Sequence, residues 1–378
     1  MKKLLALLLA VAMVFSMAAC NSSSNTPTPS EAPTEGGSDT KVAVFWYAFS
    51  DAYLSTVRSA LDADLEAAGI EYQDFDGNNN QGTQLEQVQT AVTNGFNVLV
   101  VNLVTSGSAD AAQQIISAAG DVPVVFFNRA VEGDGEEGTV LGNNANVAFI
   151  GTDAPEAGHM QGKMIGDFLV ANYDATDLNG DGAISYAMFM GDASNVEAIY
   201  RTQFGVEDAN AVLTENGKPE LVYFNAANTD KYQLDPNGAW SNAAANDFMN
   251  TNLAEYSEAN GNMIELVIAN NDDMALGAIA ALQSAGYNLG DGKCVKIPVF
   301  GVDATQAAQD AIKADTMTGT VKQDADGMAQ AICTAVSAIA EGATVADAAA
   351  KVVSSGDIFT MAEGFTNKVF VAYAPFTE

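Results

Sequence analysis

Basic residues are scarce in this chain of 378 residues. Only 15 lysines and arginines stand against 48 aspartates and glutamates, so the formal net charge at pH 7 is −33. Such a chain repels nucleic acid and anionic membrane surfaces, because both carry dense negative charge. The same balance disfavours anionic ligands and is typical of a protein that stays soluble outside the cell. Hydrophobic residues still make up 48% of the chain, which excludes intrinsic disorder, and the length allows two domains with full cores.

Histidine and cysteine are also rare. His159 is the single histidine, and with no second histidine or cysteine beside it we expect a surface residue or a satisfied core residue. No GxSxG, phosphate-loop or CxxC motif occurs, which argues against the enzyme classes that depend on them. A disulfide between Cys294 and Cys333 is chemically allowed outside the cytoplasm, but nothing in their spacing brings them together. Buried thiols are the favoured interpretation.

Long hydrophobic runs are missing, and the apolar stretch Leu4–Ala12 is too short to span a membrane as a helix. It follows two lysines and leads into Met17-Ala18-Ala19-Cys20, in the order expected of a signal peptide. Small residues before a cysteine resemble the lipobox of bacterial lipoproteins. We therefore predict a lipoprotein signal peptide over residues 1–19, lipidation at Cys20 and a disordered tether over residues 20–40. The alternative is an ordinary secretory cleavage without a lipid.

From Lys41 onward, apolar strands alternate with segments of helical periodicity. Near-continuous apolar strands such as Asn97–Val104, between helices such as Ala52–Ala67, predict an α/β fold with parallel sheets covered on both faces. A second set begins at Ala148–Thr152, so two lobes of similar build are expected. The helix near Ala325–Ala340 and the strand Lys368–Tyr373 are too little for a third domain. They are expected to return to the lobes, which leaves several crossovers as a hinge.

The stretch Ile264–Ala278 joins a buried strand to polar residues at its end. The apolar run Leu266–Ala269 is followed by Asn270-Asn271-Asp272, and Asp272 is predicted to cap the next helix. Polar groups at the carboxyl end of such a strand lie where open α/β sheets bind small ligands. Glu265 is a lone carboxylate entering a buried strand, and such a charge must be paired or bound to a metal.

The segment Asp177–Ser185 follows an EF-hand loop through its ninth position. Oxygen-bearing side chains recur at alternate positions, and Gly182 permits the turn that wraps them round one ion. The twelfth position, which should be a bidentate glutamate, is Met188, so a remote carboxylate is required and Glu265 is the candidate. The alternative is an Asx-turn loop without a metal. The predicted ligands of a structural Ca²⁺ ion are Asp177, Asn179, Asp181, the backbone carbonyl of Ala183, Ser185 and Glu265.

This loop with its remote glutamate, together with the segments VIANND, IPVFGVDA and VPVVFFN, resembles the periplasmic galactose/glucose-binding proteins. They belong to the type I sugar-binding family that serves transporters powered by ATP (ABC transporters), and the similarity covers nearly all of Lys41–Tyr373. The resemblance implies two Rossmann-like lobes that close over one monosaccharide around a three-crossing hinge. The crossings would fall near Thr152–Asp153, Lys322–Gln323 and Val371–Ala372. The implied N-terminal lobe is 41–152 plus 323–371, and the implied C-terminal lobe is 153–322 plus 372–378.

The resemblance also implies which residues bind the sugar. In the family, carboxylates and amides grip the hydroxyl groups, and flat rings cover the two faces of the pyranose. Matched by position, these residues are Asp51, Tyr53, Asn128, Asn195, Glu197, Arg201, Trp240, Asn271, Asp303 and Gln323. At four of them the family's usual residue differs, since Tyr53 stands for Phe, Asn195 for His, Glu197 for Asp and Gln323 for Asn. A neutral hexose is therefore implied, with glucose, galactose or an epimer left open.

Simpler structural roles compete with the sugar-binding roles. Asp51 and Asp303 each precede a predicted helix and are placed to cap it. Trp240 has the alternative of a core position. Trp46 and Tyr232 are weaker candidates for additional walls of the site.

The implied function is that of a lipid-anchored extracytoplasmic monomer that captures a hexose and delivers it to ABC permease subunits. A sugar-sensing co-receptor for a chemoreceptor or sensor kinase is one alternative. A glycoside hydrolase with Asp51 and Asp303 as its acid pair is another. Against the hydrolase, neither sequence neighbourhood indicates an apolar pocket that would raise the pKa of either carboxyl. The predicted class is a binding protein rather than an enzyme.

Overall fold

The computed structural model describes residues 40–133, 136 and 138–377. The predicted signal peptide, the lipidation site Cys20 and the predicted tether up to residue 39 lie outside the described residues. Within the described part, no helix has both the length and the apolar character needed to cross a bilayer.

Strands and helices alternate along most of the chain. The strands, numbered in chain order, are β1 (Lys41–Trp46), β2 (Glu71–Asp76), β3 (Val98–Val101), β4 (Val124–Phe127), β5 (Val147–Gly151), β6 (Ser185–Met190), β7 (Val222–Tyr223), β8 (Gln233–Leu234), β9 (Leu266–Ala269), β10 (Val299–Asp303), β11 (Gly319–Gln323), β12 (Phe359–Met361), β13 (Lys368–Val371) and β14 (Tyr373–Phe376). The helices are α1 (Ala52–Ala67), α2 (Gln81–Thr93), α3 (Ala109–Ala119), α4 (Ala154–Thr176), α5 (Val196–Glu215), α6 (Asn242–Glu255), α7 (Asp272–Ser284), α8 (Gln306–Lys313), α9 (Ala325–Ala340) and α10 (Val345–Ser354).

The first lobe is built on a seven-stranded sheet in the order β12-β13-β5-β4-β3-β1-β2. Its strand pairs are parallel except for β12 with β13. One apolar cluster joins α1, α9 and α10 to one face of the sheet, and a second joins α2 and α3 to the other face. Because both faces are covered, β3 and β4 are buried along their whole length, as their continuous apolar runs predict.

The second lobe repeats this plan. Its sheet has the order β14-β11-β10-β9-β6-β7, and the short strand β8 pairs with the far end of β6. Helices α6, α7 and α8 pack on one face, and α4 and α5 pack on the other. Only β14 runs antiparallel to its neighbour, β11. The predicted α/β fold of two parallel-sheet lobes is therefore confirmed.

The chain passes between the two sheets three times. It leaves the first sheet after β5, returns between β11 and α9, and crosses again between β13 and β14. Gln323, expected to open the returning segment of the first lobe, is instead the last residue of β11 and pairs with Tyr373. The second crossing therefore follows at Asp324, one residue later than expected, because the ladder with β14 holds Gln323 in the second sheet.

Glycines on α4 allow α5 to pack unusually close. A Cβ atom added at Gly162 would lie only 2.3 Å from the carbonyl oxygen of Phe204, and one added at Gly158 would lie 2.4 Å from that of Tyr200. No larger residue fits such a contact without a shift of one helix. The close approach fixes the position of α5, whose first turns face the cleft between the lobes.

Several local predictions were wrong in detail. Helix α7 is capped by Asn271, whose Oδ1 accepts a hydrogen bond from the Met274 amide at 3.0 Å, and Asp272 is the first helical residue. Helix α8 is capped by Thr305 and not by Asp303. Helix α10 and the strands β8, β11, β12 and β14 were not predicted, because short or polar segments show little periodicity and these strands pair with distant partners. Cys294 and Cys333 are free, partly buried thiols.

Candidate functional site

The carboxyl ends of strands from both sheets enclose one cavity between the lobes, with an empty volume of about 390 Å³. All ten residues predicted from the resemblance line this cavity, and three others that were not predicted join them. The lining residues are Tyr47, Asp51, Tyr53, Leu54, Asn128, Arg129, Asn195, Glu197, Arg201, Trp240, Asn271, Asp303 and Gln323. Two of the three unpredicted residues had a signal in the sequence. Tyr47 ends the first apolar strand, and Arg129 directly follows Asn128.

Asp51 both caps α1 and lines the cavity. Its Oδ1 accepts from the Leu54 amide at 2.8 Å and so caps α1, while its Oδ2 accepts from the Tyr47 hydroxyl at 2.7 Å at the cavity. A carboxylate has about four acceptor sites, so both contacts leave lone pairs for a ligand. Tyr53, the second residue of α1, has a buried hydroxyl without a hydrogen-bond partner in the described structure.

Three helix N-termini meet at the cavity. Helices α1, α5 and α7 begin there, capped by the side chains of Asp51, Asn195 and Asn271. The positive ends of their dipoles favour negative charge and hydrogen-bond acceptors in the space between them. Capping and ligand binding are therefore compatible uses of these positions.

Glu197 and Arg201 on α5 form a buried ion pair at 3.2 Å that reaches all three hinge crossings. Glu197 accepts from Thr152 Oγ1 at 2.6 Å and from the Tyr373 hydroxyl at 2.9 Å. Arg201 Nη2 donates to Gln323 Oε1 at 3.1 Å and to the Tyr373 hydroxyl at 2.9 Å. The carboxylate of Glu197 is thus committed largely to the hinge, a role that the sequence did not indicate.

Electrostatics keep Arg201 charged in this buried position. Burial lowers its pKa, but Tyr373, Glu197 and Asp303 raise it by more, so the net pKa lies above the usual value. Its Nη1 donates to the Asn270 carbonyl at 2.9 Å, while its Nε has no hydrogen-bond partner in the described structure. The guanidinium also lies 5.8 Å from the centre of the Trp240 ring.

Trp240 is held in a strained conformation. Its φ of 55° lies in the left-handed region, which is costly for a bulky residue. A Cβ added at Gly191 would lie 2.2 Å from the indole ring, so only glycine lets the ring lie against that backbone. Asp235 ties the loop before Trp240, accepting from the amide of Ser241 at 2.9 Å and from its hydroxyl at 2.7 Å. Trp240 packs with Met190 and Ala198, yet its indole N–H has no partner.

Asp303 also has a backbone conformation that side chains rarely adopt, with φ of 125°. Burial raises the pKa of its carboxyl well above the usual range; Asp272 and Asp51 add to the effect, and Arg201 opposes it. The expectation that no apolar pocket raises a carboxyl pKa here was therefore wrong, because tertiary packing, and not the sequence neighbours, excludes water from Asp303. Asn128, with φ of 58°, is a third strained residue at the cavity, and such strain is often found at functional sites.

Four buried polar atoms of the cavity have no hydrogen-bond partner in the described structure: the Tyr53 hydroxyl, Arg201 Nε, Trp240 Nε1 and Gln323 Nε2. An unpaired buried polar atom costs about 1–3 kcal/mol, so native proteins rarely keep several together without a ligand. All four can donate a hydrogen bond. The cavity is therefore prepared for a ligand with several acceptor oxygens.

The predicted calcium loop lies in the second lobe between α4 and β6. Asp177 accepts from the amides of Gly180 at 2.8 Å and Gly182 at 2.9 Å, and Asp181 accepts from the Ala183 amide at 2.9 Å. Asn179 Oδ1 accepts from the Asp181 amide at 2.8 Å. These bonds fold the loop through Asx-turns, which fit both the predicted calcium loop and the alternative of a loop without a metal.

Glu265 is fully buried against this loop, although 80 residues separate it from Ser185. One oxygen accepts from the amides of Leu178 at 2.8 Å and Asn179 at 3.1 Å, and the other accepts from the Ser185 amide at 2.9 Å. Within the described residues no three carboxylate, imidazole or thiol groups lie close enough together to hold a metal by themselves. An ion here would therefore depend on the amide, hydroxyl and backbone oxygens as well.

The weaker candidates lie elsewhere. Trp46 is buried in the core of the first lobe, and its indole donates to Asp74 at 2.6 Å. Tyr232 borders a separate surface groove of the second lobe. His159 is half-exposed, 2.7 Å from an Asp208 oxygen and stacked on a phenylalanine, in agreement with a surface role.

Comparisons with known proteins agree with this geometry. A family model described as a periplasmic binding protein domain matches residues 42–344. The D-galactose/methyl-galactoside binding periplasmic protein MglB of Haemophilus influenzae is 31% identical over 308 residues, which cover 80% of this chain and 82% of that protein. A putative rhizopine-binding protein of Rhizobium meliloti is 27% identical over 79% of this chain and 83% of its own length. These relatives are solute-binding proteins and not enzymes.

Solved structures share the fold. An ABC transporter solute-binding protein of Clostridium phytofermentans with bound β-D-glucose superposes with a TM-score of 0.66 at 19% identity, over 89% of this chain and 94% of that chain. One from Bacillus halodurans with bound myo-inositol has a TM-score of 0.64 at 22% identity, over 91% and 96% of the two chains. The two-lobed fold and the cavity at the strand ends agree with the matching family model. The chain therefore belongs to the periplasmic binding protein family, in its type I sugar-binding branch.

Proposed function

We propose that this protein captures a neutral hexose of the galactose or glucose type between its lobes and delivers it to the membrane subunits of an ABC transporter. The observation that carries the proposal is the set of four unpartnered donors, Tyr53, Arg201, Trp240 and Gln323, at one cavity. A hexopyranose presents about six oxygen atoms over its surface, the hydroxyls and the ring oxygen, each able to accept such a bond.

The acidic residues of the cavity disfavour negatively charged ligands. Asp51 and Asp303 would accept hydrogen bonds from sugar hydroxyls through their carboxyl oxygens, which are acceptors whether or not the carboxyl is ionised. An anionic ligand would meet both carboxyls and the net charge of −33. The flat ring of Trp240 would cover an apolar face of the pyranose. The relative from Haemophilus influenzae, named for galactose binding, supports the same ligand class.

Ligand capture would be coupled to closure of the lobes. The cavity takes Asp51, Tyr53 and Asn128 from the first lobe and Arg201, Trp240 and Asp303 from the second. A ligand that touches both sets binds the closed form better, and binding therefore shifts the population toward closure.

The family implies an extracytoplasmic location. We further propose that lipid at Cys20 anchors the protein to the cell membrane through the residues before Lys41. A short apolar segment that ends in small residues and a cysteine supports this proposal.

We also propose a structural Ca²⁺ ion at the loop Asp177–Ser185. Side-chain oxygens of Asp177, Asn179 and Asp181, with Glu265 as the remote carboxylate, have the chemistry that calcium prefers. Burial raises the pKa of Glu265, and the loop amides oppose that shift, so a cation beside it would favour the charged form further. The ion would stiffen the start of β6 and would take no part in ligand binding.

A thermal-shift screen tests the proposed ligand class. Galactose and glucose are expected to raise the melting temperature by several degrees, because ligand at 100 times its Kd stabilises the folded state by about 2.7 kcal/mol. Glucuronate, in which a carboxylate replaces the C6 hydroxymethyl group of glucose, and arabinose, which lacks one carbon, are the matched controls.

Asp303→Asn is expected to lose most of the shift, and Asp208→Asn, which removes a carboxylate far from the cavity, is expected to keep it. A wild-type protein that responds to no hexose, or more strongly to glucuronate than to glucose, would contradict the proposal.

A further inference from the structure

Arg129 and Asp192 form an ion pair that crosses the cleft between the lobes. Arg129 follows β4 in the first lobe, Asp192 follows β6 in the second, and Arg129 Nη2 lies 3.0 Å from Asp192 Oδ2. Their side chains are only 4% and 17% exposed. Neither residue was predicted to belong to the site, and the proposed ligand contacts do not use the pair.

On the first-lobe side, Arg129 supports the residues that hold Asp51. Its Nε donates to the Leu103 carbonyl at 2.9 Å and its Nη2 donates to the Val104 carbonyl at 3.0 Å, so the guanidinium is fixed within its own lobe. It lies 4.2 Å from the centre of the Tyr47 ring, close enough for a cation–π contact. The hydroxyl of Tyr47 in turn donates to Asp51 Oδ2.

On the second-lobe side, Asp192 supports the loop that carries Trp240. Its Oδ1 accepts from the amide of Ser194 at 2.9 Å and from its hydroxyl at 2.8 Å, which leaves Oδ2 for Arg129. A Cβ added at Gly238 would lie 3.5 Å from the Asp192 carboxyl carbon, so the carboxylate packs against the loop that ends at Trp240. The indole ring of Trp240 packs against the backbone of Gly191, the residue before Asp192.

We propose that Arg129 and Asp192 are positioning residues of the ligand site. Their ion pair links Tyr47 and Asp51 in the first lobe to the Trp240 loop in the second, and so holds the two halves of the site together across the cleft. The proposal rests on the proposed function, because it assigns these residues a share of ligand affinity without contact between Asp192 and the ligand. A second contact from the same loop, Asn79 Nδ2 to the Asn237 carbonyl at 3.0 Å, also crosses the cleft.

The pair is suited to form only on closure. Its partners belong to separate lobes, so opening the cleft separates them, while Arg129 keeps its two carbonyls and Asp192 keeps Ser194. Water then enters and solvates both charges, and little is lost in the open form. In the closed form, loss of one partner leaves the other charge buried and unpaired, which is the costly case.

The test compares Asp192→Asn with Asp208→Asn. Asp192 does not line the cavity, and asparagine keeps an acceptor for Ser194 while the charge facing Arg129 is removed. Asp208 pairs with His159 inside the second lobe, so its substitution removes the same charge without touching the cleft. Calorimetry with the hexose that stabilises the wild type gives Kd, stopped-flow fluorescence gives the dissociation rate, and small-angle X-ray scattering gives the radius of gyration at saturating ligand.

Asp192→Asn is expected to raise Kd by about tenfold or more, mainly through faster dissociation, and to leave the saturated protein less compact. Asp208→Asn is expected to match the wild type in all three measurements. Asp192→Ser serves as a second variant should the asparagine fold poorly, and the same changes are expected of it. A matching melting temperature of ligand-free Asp192→Asn and wild type separates positioning from a general loss of stability.

The positioning role alone would be overturned if Asp192→Asn had a Kd within twofold of wild type and, at saturating ligand, the same radius of gyration within error. A wild type that binds no sugar would overturn the proposed function, and this role with it. The two failures are therefore distinguishable in one series of measurements.

Discussion

Individual residues at the cavity have unfavourable conformations or unpaired polar atoms that no neighbouring contact in the protein offsets. Trp240 and Asp303 have strained backbones, and the indole N–H of Trp240 is buried without a partner. The other tryptophan, Trp46, is equally buried but bonded to Asp74. The contrast between two residues of one type distinguishes a side chain held for a ligand from one that stabilises the core.

Trp240→Phe is therefore expected to keep the flat ring and to weaken hexose binding by about tenfold, the worth of one hydrogen bond of about 1.4 kcal/mol. The melting temperature without ligand should change little, because the lost N–H has no protein partner. The matched control, Trp46→Phe, is expected to lower the melting temperature and to leave Kd unchanged. Calorimetry and thermal melts of both variants decide the point, and equal effects of the two on Kd would contradict it.

Asp272 makes stability depend on pH. Burial raises its pKa to about 7, although bonds from Thr320 and Thr305 and the charge of Arg201 oppose the shift. Asp303, whose pKa is also raised, faces it. Because the folded protein then holds the proton more tightly than the unfolded chain, this contribution to stability is full below about pH 4 and falls as the pH rises to about 7. Denaturant unfolding from pH 4 to 8 should show this decline.

Asp272→Asn is expected to flatten that decline, since asparagine cannot ionise, and the remaining slope would come from groups such as Asp303. Asp208→Asn, at a more exposed carboxylate, is expected to leave the slope as it is. Parallel curves for Asp272→Asn and wild type would show that Asp272 is ionised throughout the range.

At the scale of elements, α5 is the part of the fold that brings hinge and site together. Its first turns supply Asn195, Glu197 and Arg201, and its close contact with α4 sets where those side chains lie. A displacement of this helix would therefore move the ion pair that joins the three crossings.

Gly162→Ala is expected to destabilise the protein by about 1–3 kcal/mol, the usual cost of overpacking, and to weaken hexose binding as Arg201 shifts. Gly142→Ala is the matched control, because an added Cβ there meets nothing within 4 Å. Denaturant unfolding gives the change in the free energy of unfolding, and calorimetry gives the affinity. An alanine at 162 as stable as the wild type would show that the helices separate without cost.

The loop Asp177–Ser185 gives a second prediction at this scale. Removal of calcium by a chelator is expected to lower the melting temperature, because an ion bound only to the folded state stabilises it. Glu265→Gln should abolish the response to chelator, since it removes the remote carboxylate. Glu258→Gln, at an exposed acid of the same lobe, should retain the response. A wild type whose melting curve ignores both chelator and added calcium would exclude the ion.

At the scale of the whole molecule, two lobes and three crossings create a site that neither lobe contains. The cavity and the Arg129–Asp192 pair take residues from both lobes, and the Glu197–Arg201 network contacts residues at all three crossings. The excess of acidic residues acts at the same scale, since it keeps the molecule away from anionic surfaces and leaves the proposed lipid as its attachment to the membrane.

Cys20→Ala is accordingly expected to release the protein from the membrane fraction into the medium or the periplasm. Fractionation followed by immunoblotting measures the release. Cys333→Ala, at a thiol inside the first lobe, should leave the protein membrane-bound. Unchanged fractionation of Cys20→Ala would show that something other than lipid at this cysteine holds the protein.

The alternation of strands and helices and the two-lobed α/β fold were predictable from the sequence, and the resemblance to a known family named ten of the residues that line the cavity. Apolar periodicity is a local property, and motifs such as VIANND and VPVVFFN place polar residues at strand ends whatever the rest of the chain does. The remote carboxylate of the loop could be named as well, because a lone Glu265 at the start of an apolar strand needs a partner.

Tertiary structure decided how those residues are used. Burial of Asp303, the commitment of Glu197 to the hinge and the ion pair between Arg129 and Asp192 all depend on atoms far apart in the chain. Desolvation and partner geometry arise only when the lobes pack and close, and no local pattern encodes them. The sequence therefore determined which groups reach the cleft, and the packing of the lobes determined their protonation, their partners and the strain they bear.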